Sequence, residues 1–278
     1  MSDDTVEFDL DAYLKRIGWE GERRADVGTL KAVHLAHMRG IPFENLEALG
    51  GGAPSLDPAD LMAKLVHGRR GGYCYEHNTL FSLALEALGF RVEALLTARV
   101  VLGAETVESR PRTHMALLVE VPGESRPYLT DVGFGAIGAL LEPVPLVAGV
   151  EFRDAGRRHR LVHVPHRGPL EMWVLEAHDS GLEGWVAQYA FTLEPFEKPD
   201  FEVINWHIAT NPRSPFAQSL YVQHLSAERH LLLHGRLLTE TRVDDGTVRE
   251  RQVAEDEVEV RRLLEEEFGI VAPEGAVL

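Results

Sequence analysis

Apolar residues in the first ninety positions recur at helical spacing. Near the start, Leu10, Tyr13, Leu14 and Ile17 fall at i, i+3, i+4 and i+7, which predicts a helix over 9–19. Leu30, Val33, His34 and Met38 predict a second helix, stopped by Gly40 with Pro42 just beyond. Leu61, Met62, Leu65 and Val66 predict a third, ending at Gly68. The clearest pattern is Leu80, Leu83, Ala84, Ala87 and Leu88, with Gly89 placed as a C-terminal stop.

After Gly89 the period changes. Segments 91–102, 113–121 and 128–132 are rich in Val, Leu and Tyr and are separated by Gly, Pro and Ser, which predicts strands and turns. Further strands are expected over 161–164, 171–175 and 185–191, a short helix over 200–208 and a loop over 211–216. Two more strands, 220–225 and 230–241, lead to a turn at Asp244-Asp245-Gly246. The end, 256–268, reads as an amphipathic helix carrying Leu263, Leu264 and Phe268 and stopped by Gly269. Helices, then strands, then a mixed tail define the α+β class.

Composition narrows the function. A net charge of −16 over 278 residues argues against broad nucleic-acid binding or attraction to anionic membranes, yet permits one local basic pocket for an anionic cofactor. No stretch approaches the ~20 apolar residues of a membrane span. The first residues lack the basic flank and apolar run of a secretion signal. One cysteine excludes an internal disulfide and fits a reducing cytoplasm.

That cysteine, Cys74, follows Arg69-Arg70-Gly71-Gly72-Tyr73 and directly precedes the clearest helix. Unpaired N–H groups and the positive end of a helix dipole favour a thiolate there. Two glycines let the backbone turn tightly and let a substrate approach the sulfur. The plain alternative is an inert buried cysteine.

A thiolate needs a base, and the next hairpin supplies one. His114 alternates onto one face with Ala116 and Leu118, and Asp131 shares a face with Leu129 on the return strand. With the turn centred near residue 123, His114 and Asp131 stand opposite or diagonally adjacent, within hydrogen-bonding reach. A carboxylate beside an imidazole fixes its tautomer and stabilises the imidazolium. The alternative is a half-buried His and a turn-proximal Asp that never meet Cys74.

Several segments together resemble the arylamine N-acetyltransferases. Arg70-Gly71-Gly72-Tyr73-Cys74 is similar to that family's Arg-Gly-Gly-x-Cys, and Pro42-Phe43-Glu44-Asn45-Leu46 to its Pro-Phe-Glu-Asn-Leu. Thr113-His114-Met115 and Asp131-Val132-Gly133-Phe134-Gly135 resemble its histidine and aspartate segments, and Asn211 through Phe216 its Pro-x-Ser-x-Phe stretch. His77 departs from the glutamine of many bacterial members.

The resemblance implies a helical unit over 1–90 bearing the nucleophile, a β-barrel-like unit over 91–198 bearing His114 and Asp131, and a mixed α/β lid over 199–278. It implies catalytic Cys74, His114 and Asp131 acting through an acetyl-cysteine, with acetyl-coenzyme A as acyl donor and no metal. Phe43, Phe134 and Phe216 are expected to bind the aromatic amine or hydrazine, and Gly133, Phe134 and Gly135 to contact coenzyme A. The expected assembly is a monomer or homodimer.

Other signals are weaker. Gly133 to Gly138 satisfies a dinucleotide-binding pattern, but Pro143 and Pro145 interrupt the helix it requires. His230 and His234 stand at i and i+4 without the glutamate of a zinc protease, and His34 and His37 have no third ligand. The acidic stretch 255–267 reads as a solvated helix face. A Cys-His-Asp order also suits transglutaminase-like and papain-like hydrolases, an amide synthase of the same family suits all the motifs, and a binding protein that kept the fold is the non-enzymatic reading.

Overall fold

The computed structural model describes residues 8–154, 157–179, 181–226, 228–242, 246–253 and 256–278. It opens with α1 (Leu10–Arg16), α2 (Val27–Gly40), the two-residue strand β1 (Phe43–Glu44) and the short α3 (Leu46–Leu49). α4 (Pro58–Leu61) runs on into π-helical backbone over Met62–His67, and α5 (Cys74–Ala87) follows. Asp9 and Asp26 cap α1 and α2, accepting the amides of Ala12 at 3.0 Å and Thr29 at 2.8 Å, and so fix where each helix begins.

The chain then enters β2 (Arg91–Val100), β3 (Arg112–Glu120), β4 (Tyr128–Thr130), β5 (Val144–Pro145), β6 (Glu151–Asp154), β7 (Arg157–Val164), β8 (Met172–Asp179) and β9 (Gly184–Phe191). These form an antiparallel sheet in the order β5-β4-β3-β2-β9-β8-β7-β6. A bridge from Ala148 to Leu161 joins the segment after β5 to β7 and nearly closes the sheet into a barrel. α6 (Lys198–Thr210) and α7 (Pro215–Gln218) lead to β10 (Tyr221–Leu225), β11 (Arg229–His234), β12 (Leu237–Arg242), β13 (Val248–Gln252) and α8 (Glu257–Phe268). The second sheet runs β1-β10-β11-β12-β13, so a strand from the helical opening forms one of its edges.

Two expectations are corrected, and a third falls largely outside the described residues. Segment 230–241 is a hairpin, not one strand, because Gly235 at φ +57° turns the chain between β11 and β12. Phe216 lies in α7 rather than a loop, since Pro215 at the first helical position starts a short helical turn. Of the expected turn at 244–246, Asp244 and Asp245 lie outside the described residues.

One core spans the helical opening and the barrel, with Tyr13, Leu30, Phe81, Leu96, Leu117 and Phe191 fully buried in it. A second lies between α8 and the five-stranded sheet, around Val222, Leu233, Val260 and Leu264. Among the described residues no helix is long and apolar enough to cross a membrane.

A buried relay ties α1, α2 and α5 to β1. Tyr13 Oη donates to His37 Nδ1 at 2.7 Å, His37 Nε2 to His77 Nδ1 at 2.8 Å, and His77 Nε2 to the Pro42 carbonyl at 3.2 Å. A carbonyl only accepts, so with both imidazoles neutral the direction of the whole chain is set from that end. Burial accordingly pulls His77 down to about 4 and His37 well below its ordinary value.

A histidine whose native pKa lies below its unfolded value of about 6.5 takes up a proton on unfolding. Its contribution is intact above that value and is lost as pH falls toward 4. Thermal midpoints measured from pH 7 to 4.5 are expected to fall more steeply for the wild type than for His77→Gln. Superimposable acid limbs for the two proteins would count against the relay.

Candidate active site

The loop before Cys74 is held by buried charge. The Arg70 guanidinium meets the Glu44 carboxylate at 2.6 Å, and the other Glu44 oxygen accepts the Leu46 amide at 2.6 Å. Lys64 bridges Glu76 at 2.7 Å and Glu47 at 2.8 Å, while Glu76 also accepts the Tyr73 amide at 3.0 Å. Burial pushes the Glu76 carboxyl up to about 7 despite the Lys64 ammonium beside it.

The glycines of this loop have a different cause from the substrate access expected of them. A Cβ on Gly71 would lie 2.0 Å from the Pro42 carbonyl oxygen, and one on Gly72 2.7 Å from Glu76 Oε2. The room at Gly71 is filled by Pro42 and Glu44 and that at Gly72 by the Glu76 side chain, while the Glu44 amide bonds the Gly72 carbonyl at 2.8 Å.

Cys74 is the first residue of α5 and is 4% exposed. On β3, Leu117 pairs with Thr130 of β4, so His114 and Asp131 are diagonal neighbours, Asp131 sitting one residue past the strand end. His114 Nε2 lies 2.7 Å from Asp131 Oδ2, which leaves Nδ1 as the ring nitrogen available to Cys74. Cys74 Sγ lies 4.0 Å from the Thr113 carbonyl, which also accepts Tyr75 Oη at 2.6 Å. The structure thus brings Cys74, His114 and Asp131 into one buried cluster.

Electrostatics bind this cluster tightly. Burial is the largest influence on His114 and opposes its charge, but the Asp131 carboxylate and hydrogen bonds to Asp131 and Cys74 outweigh it, raising His114 to about 10. Burial likewise opposes the Asp131 charge. His114, Asn78 and the Gly133 amide reverse that effect and hold its pKa below the ordinary value.

Asn78 is a residue that sequence reasoning missed. Its Nδ2 donates to Asp131 Oδ1 at 3.0 Å and to the Met115 carbonyl at 2.8 Å, and its Oδ1 accepts the Val132 amide at 3.1 Å. The available signal was its place on α5 at i+4 from the cysteine, hence on the same helix face.

The expected aromatic residues gather nearby. The Phe43 ring lies 5.7 Å from Phe216 and 5.8 Å from Tyr221, and Phe134 packs 5.2 Å from His114. Phe43, His77, Val132, Phe134 and Gln223 line a narrow cavity of about 10 Å³. Gly133 and Gly135 face protein atoms: a Cβ would lie 2.7 Å from Cys74 Cα and 2.5 Å from Gln223 Nε2, respectively. His230 and His234 lie on β11, where i and i+4 do not make a helix face, and His230 Nε2 meets Gln223 Oε1 at 2.7 Å.

A barrel carrying His and Asp against a helix that begins with Cys is an arrangement suited to acyl transfer through a thiol. A family model described as N-acetyltransferase matches residues 26–277. The chain is 42% identical over 232 residues to the arylamine N-acetyltransferase of Mycolicibacterium smegmatis, covering 83% of this chain and 82% of that protein. The crystal structure of the Nocardia farcinica arylamine N-acetyltransferase superimposes with a TM-score of 0.87 at 40% identity, covering 98% of this chain and 95% of that one. A Mycobacterium marinum arylamine N-acetyltransferase solved in complex with CoA gives 0.85 at 35% identity, covering 94% and 93%. The chain belongs to the arylamine N-acetyltransferase family.

Gly133→Ala is expected to destabilise the fold by about 1–3 kcal/mol, because the methyl group enters the Cys74 backbone. A thermal midpoint equal to wild type would contradict that packing.

Proposed function

We propose that this chain is an arylamine N-acetyltransferase that passes an acetyl group from acetyl-coenzyme A to arylamines, arylhydrazines and related aromatic amines through acetyl-Cys74. The observation that carries the reading is Cys74 at the start of α5 beside a His114 locked to Asp131, in a chain of this family.

In the first half-reaction His114 holds the Cys74 proton while Sγ attacks the carbonyl carbon of the thioester. The new S–C bond forms, the bond to the coenzyme A sulfur breaks, and that sulfur leaves with the proton from His114. In the second, the amine nitrogen attacks the acetyl-Cys74 carbonyl, its proton passes to His114 and Sγ is released. Asp131 keeps the imidazole in one tautomer and offsets its charge in both steps. Amides in the first turn of α5, which have no partner within the helix, serve the developing oxyanion.

Phe43, Phe134 and Phe216 form the acceptor surface, where flat rings stack on flat rings. Gly133, Phe134 and Gly135 meet the arm of the donor; their support is that the segment leaves Asp131 directly and that Phe134 packs on His114.

Intact mass measured after acetyl-coenzyme A alone should rise by one acetyl unit, and initial rates in both substrates should give ping-pong kinetics. No adduct in the wild type, or one that persists in Cys74→Ala, would sink the assignment. Asp131→Asn, which removes the charge but keeps the shape, is expected to slow acetylation of Cys74 by roughly 10³–10⁴-fold in single-turnover measurements.

A further inference from the structure

Three arginines cluster on β2, on β3, which carries the histidine, and on the connection between them. Arg99 on β2 stands directly opposite Arg112 on β3, and Arg110 lies two residues before Arg112. Like charges directly opposite in a sheet repel. The chain has 44 acidic residues against 28 basic ones, so partners are plentiful. Among the described residues, none of the three arginines forms an ion pair, in contrast to Arg91 on the same strand, which meets Glu120 at 2.8 Å.

Their bonds go to neutral oxygens instead. Arg99 donates to the Arg110 carbonyl, and Arg112 donates to Thr97 O at 2.9 Å, Thr97 Oγ1 at 3.2 Å and Thr192 Oγ1 at 3.1 Å. The Arg112 guanidinium also lies 5.6 Å from the centre of the Phe196 ring. Neutral acceptors hold a guanidinium in place without cancelling its charge. After burial, the field of Arg99 is the main influence lowering Arg112, and Glu194 opposes it from beyond ion-pair distance. Glu105 and Glu108 stand exposed on the connection between β2 and β3.

The cluster adjoins the reacting centre. At about 3.3 Å per strand residue, Arg112 lies roughly 7 Å along β3 from His114, and Arg110 sits two residues before it on the connection that enters the strand. Thr113, between Arg112 and His114, offers the carbonyl that Cys74 Sγ and Tyr75 Oη approach. A register shift between Ala98 and Arg99 sets Arg99 opposite Arg112 while Ala98 stays opposite His114.

We infer that Arg99, Arg110 and Arg112 seat the phosphate groups of the acyl donor, an inference that rests on the donor being a coenzyme A thioester. Coenzyme A carries a diphosphate and a ribose phosphate at the far end of a long pantetheine arm. Its thioester must reach buried Cys74 while its phosphates stay near the rim. A protein of net charge −16 repels such an anion over most of its surface, so entry depends on a local cluster of the opposite sign. Guanidinium groups supply it in the planar, two-pronged form that phosphate oxygens accept.

The test uses the whole protein, calorimetry with coenzyme A at low and high ionic strength, and acylation of Cys74 by p-nitrophenyl acetate, a donor without phosphate. The double variant Arg99→Gln with Arg110→Gln is expected to weaken coenzyme A binding about ten-fold and to flatten its salt dependence. Its acylation by p-nitrophenyl acetate should change by less than about two-fold, since that donor has no phosphate to seat. Arg112→Lys, which keeps the charge but not the fork, should fall between wild type and double variant. Unchanged coenzyme A affinity and salt slope in the double variant would overturn the inference, as would an equal loss with p-nitrophenyl acetate. A wild type that acetylates arylamines from p-nitrophenyl acetate yet binds no coenzyme A overturns the donor reading itself.

Discussion

Asp131 carries its carboxylate wholly inside the protein, where an ionised oxygen is tolerable only if donors surround it. Those donors come from three directions: Asn78 on α5, His114 on β3 and the amide of Gly133 in the loop that follows. Meeting that demand fixes the helix, the barrel strand and the loop against one another. Cys74 begins the same helix one turn before Asn78, so the contact that neutralises the carboxylate also places the sulfur. Gly133 is drawn so close to the Cys74 backbone that a side chain has no room.

A second set of buried groups holds what precedes the cysteine. Glu44 and Arg70, with Glu76 and Lys64, clamp the glycine loop to β1 and to the first turn of α5. Breaking one partner of such a pair typically costs about 3–5 kcal/mol, whereas an apolar pair of equal volume can be as stable. Their service here is therefore geometric. The neutral relay through His37 and His77 pins the Pro42 carbonyl from the other side, and β1 in turn pairs with β10. The five-stranded sheet is thereby anchored beside the glycine loop that precedes Cys74, with Phe216 and Tyr221 against Phe43.

Much of this was legible where local rules apply. The apolar spacing of Leu80, Ala84 and Ala87 marks α5, and Gly89 and Gly269 end their helices at positive φ. The diagonal pairing of His114 with Asp131 follows from strand alternation and a turn centre near 123. Two-residue strands such as β1 and β5 have no period to detect, and the fully exposed β13 shows no alternation. The hairpin at Gly235 hides inside an apolar run because both of its strands pack on the same core.

The sequence by itself determined the order of helices and strands, the lone cysteine at a helix start, and the histidine and aspartate of one hairpin. These depend on spacing within a few residues or across a short turn. Tertiary structure alone decided that Asn78 completes the aspartate's partners, that His37 bonds His77, and that Gly71, Gly72, Gly133 and Gly135 make way for protein atoms. It also left Arg99 and Arg112 face to face with no ion pair among the described residues. Each of these joins segments distant in the chain, and their distance, burial and charge balance exist only once the chain has closed on itself.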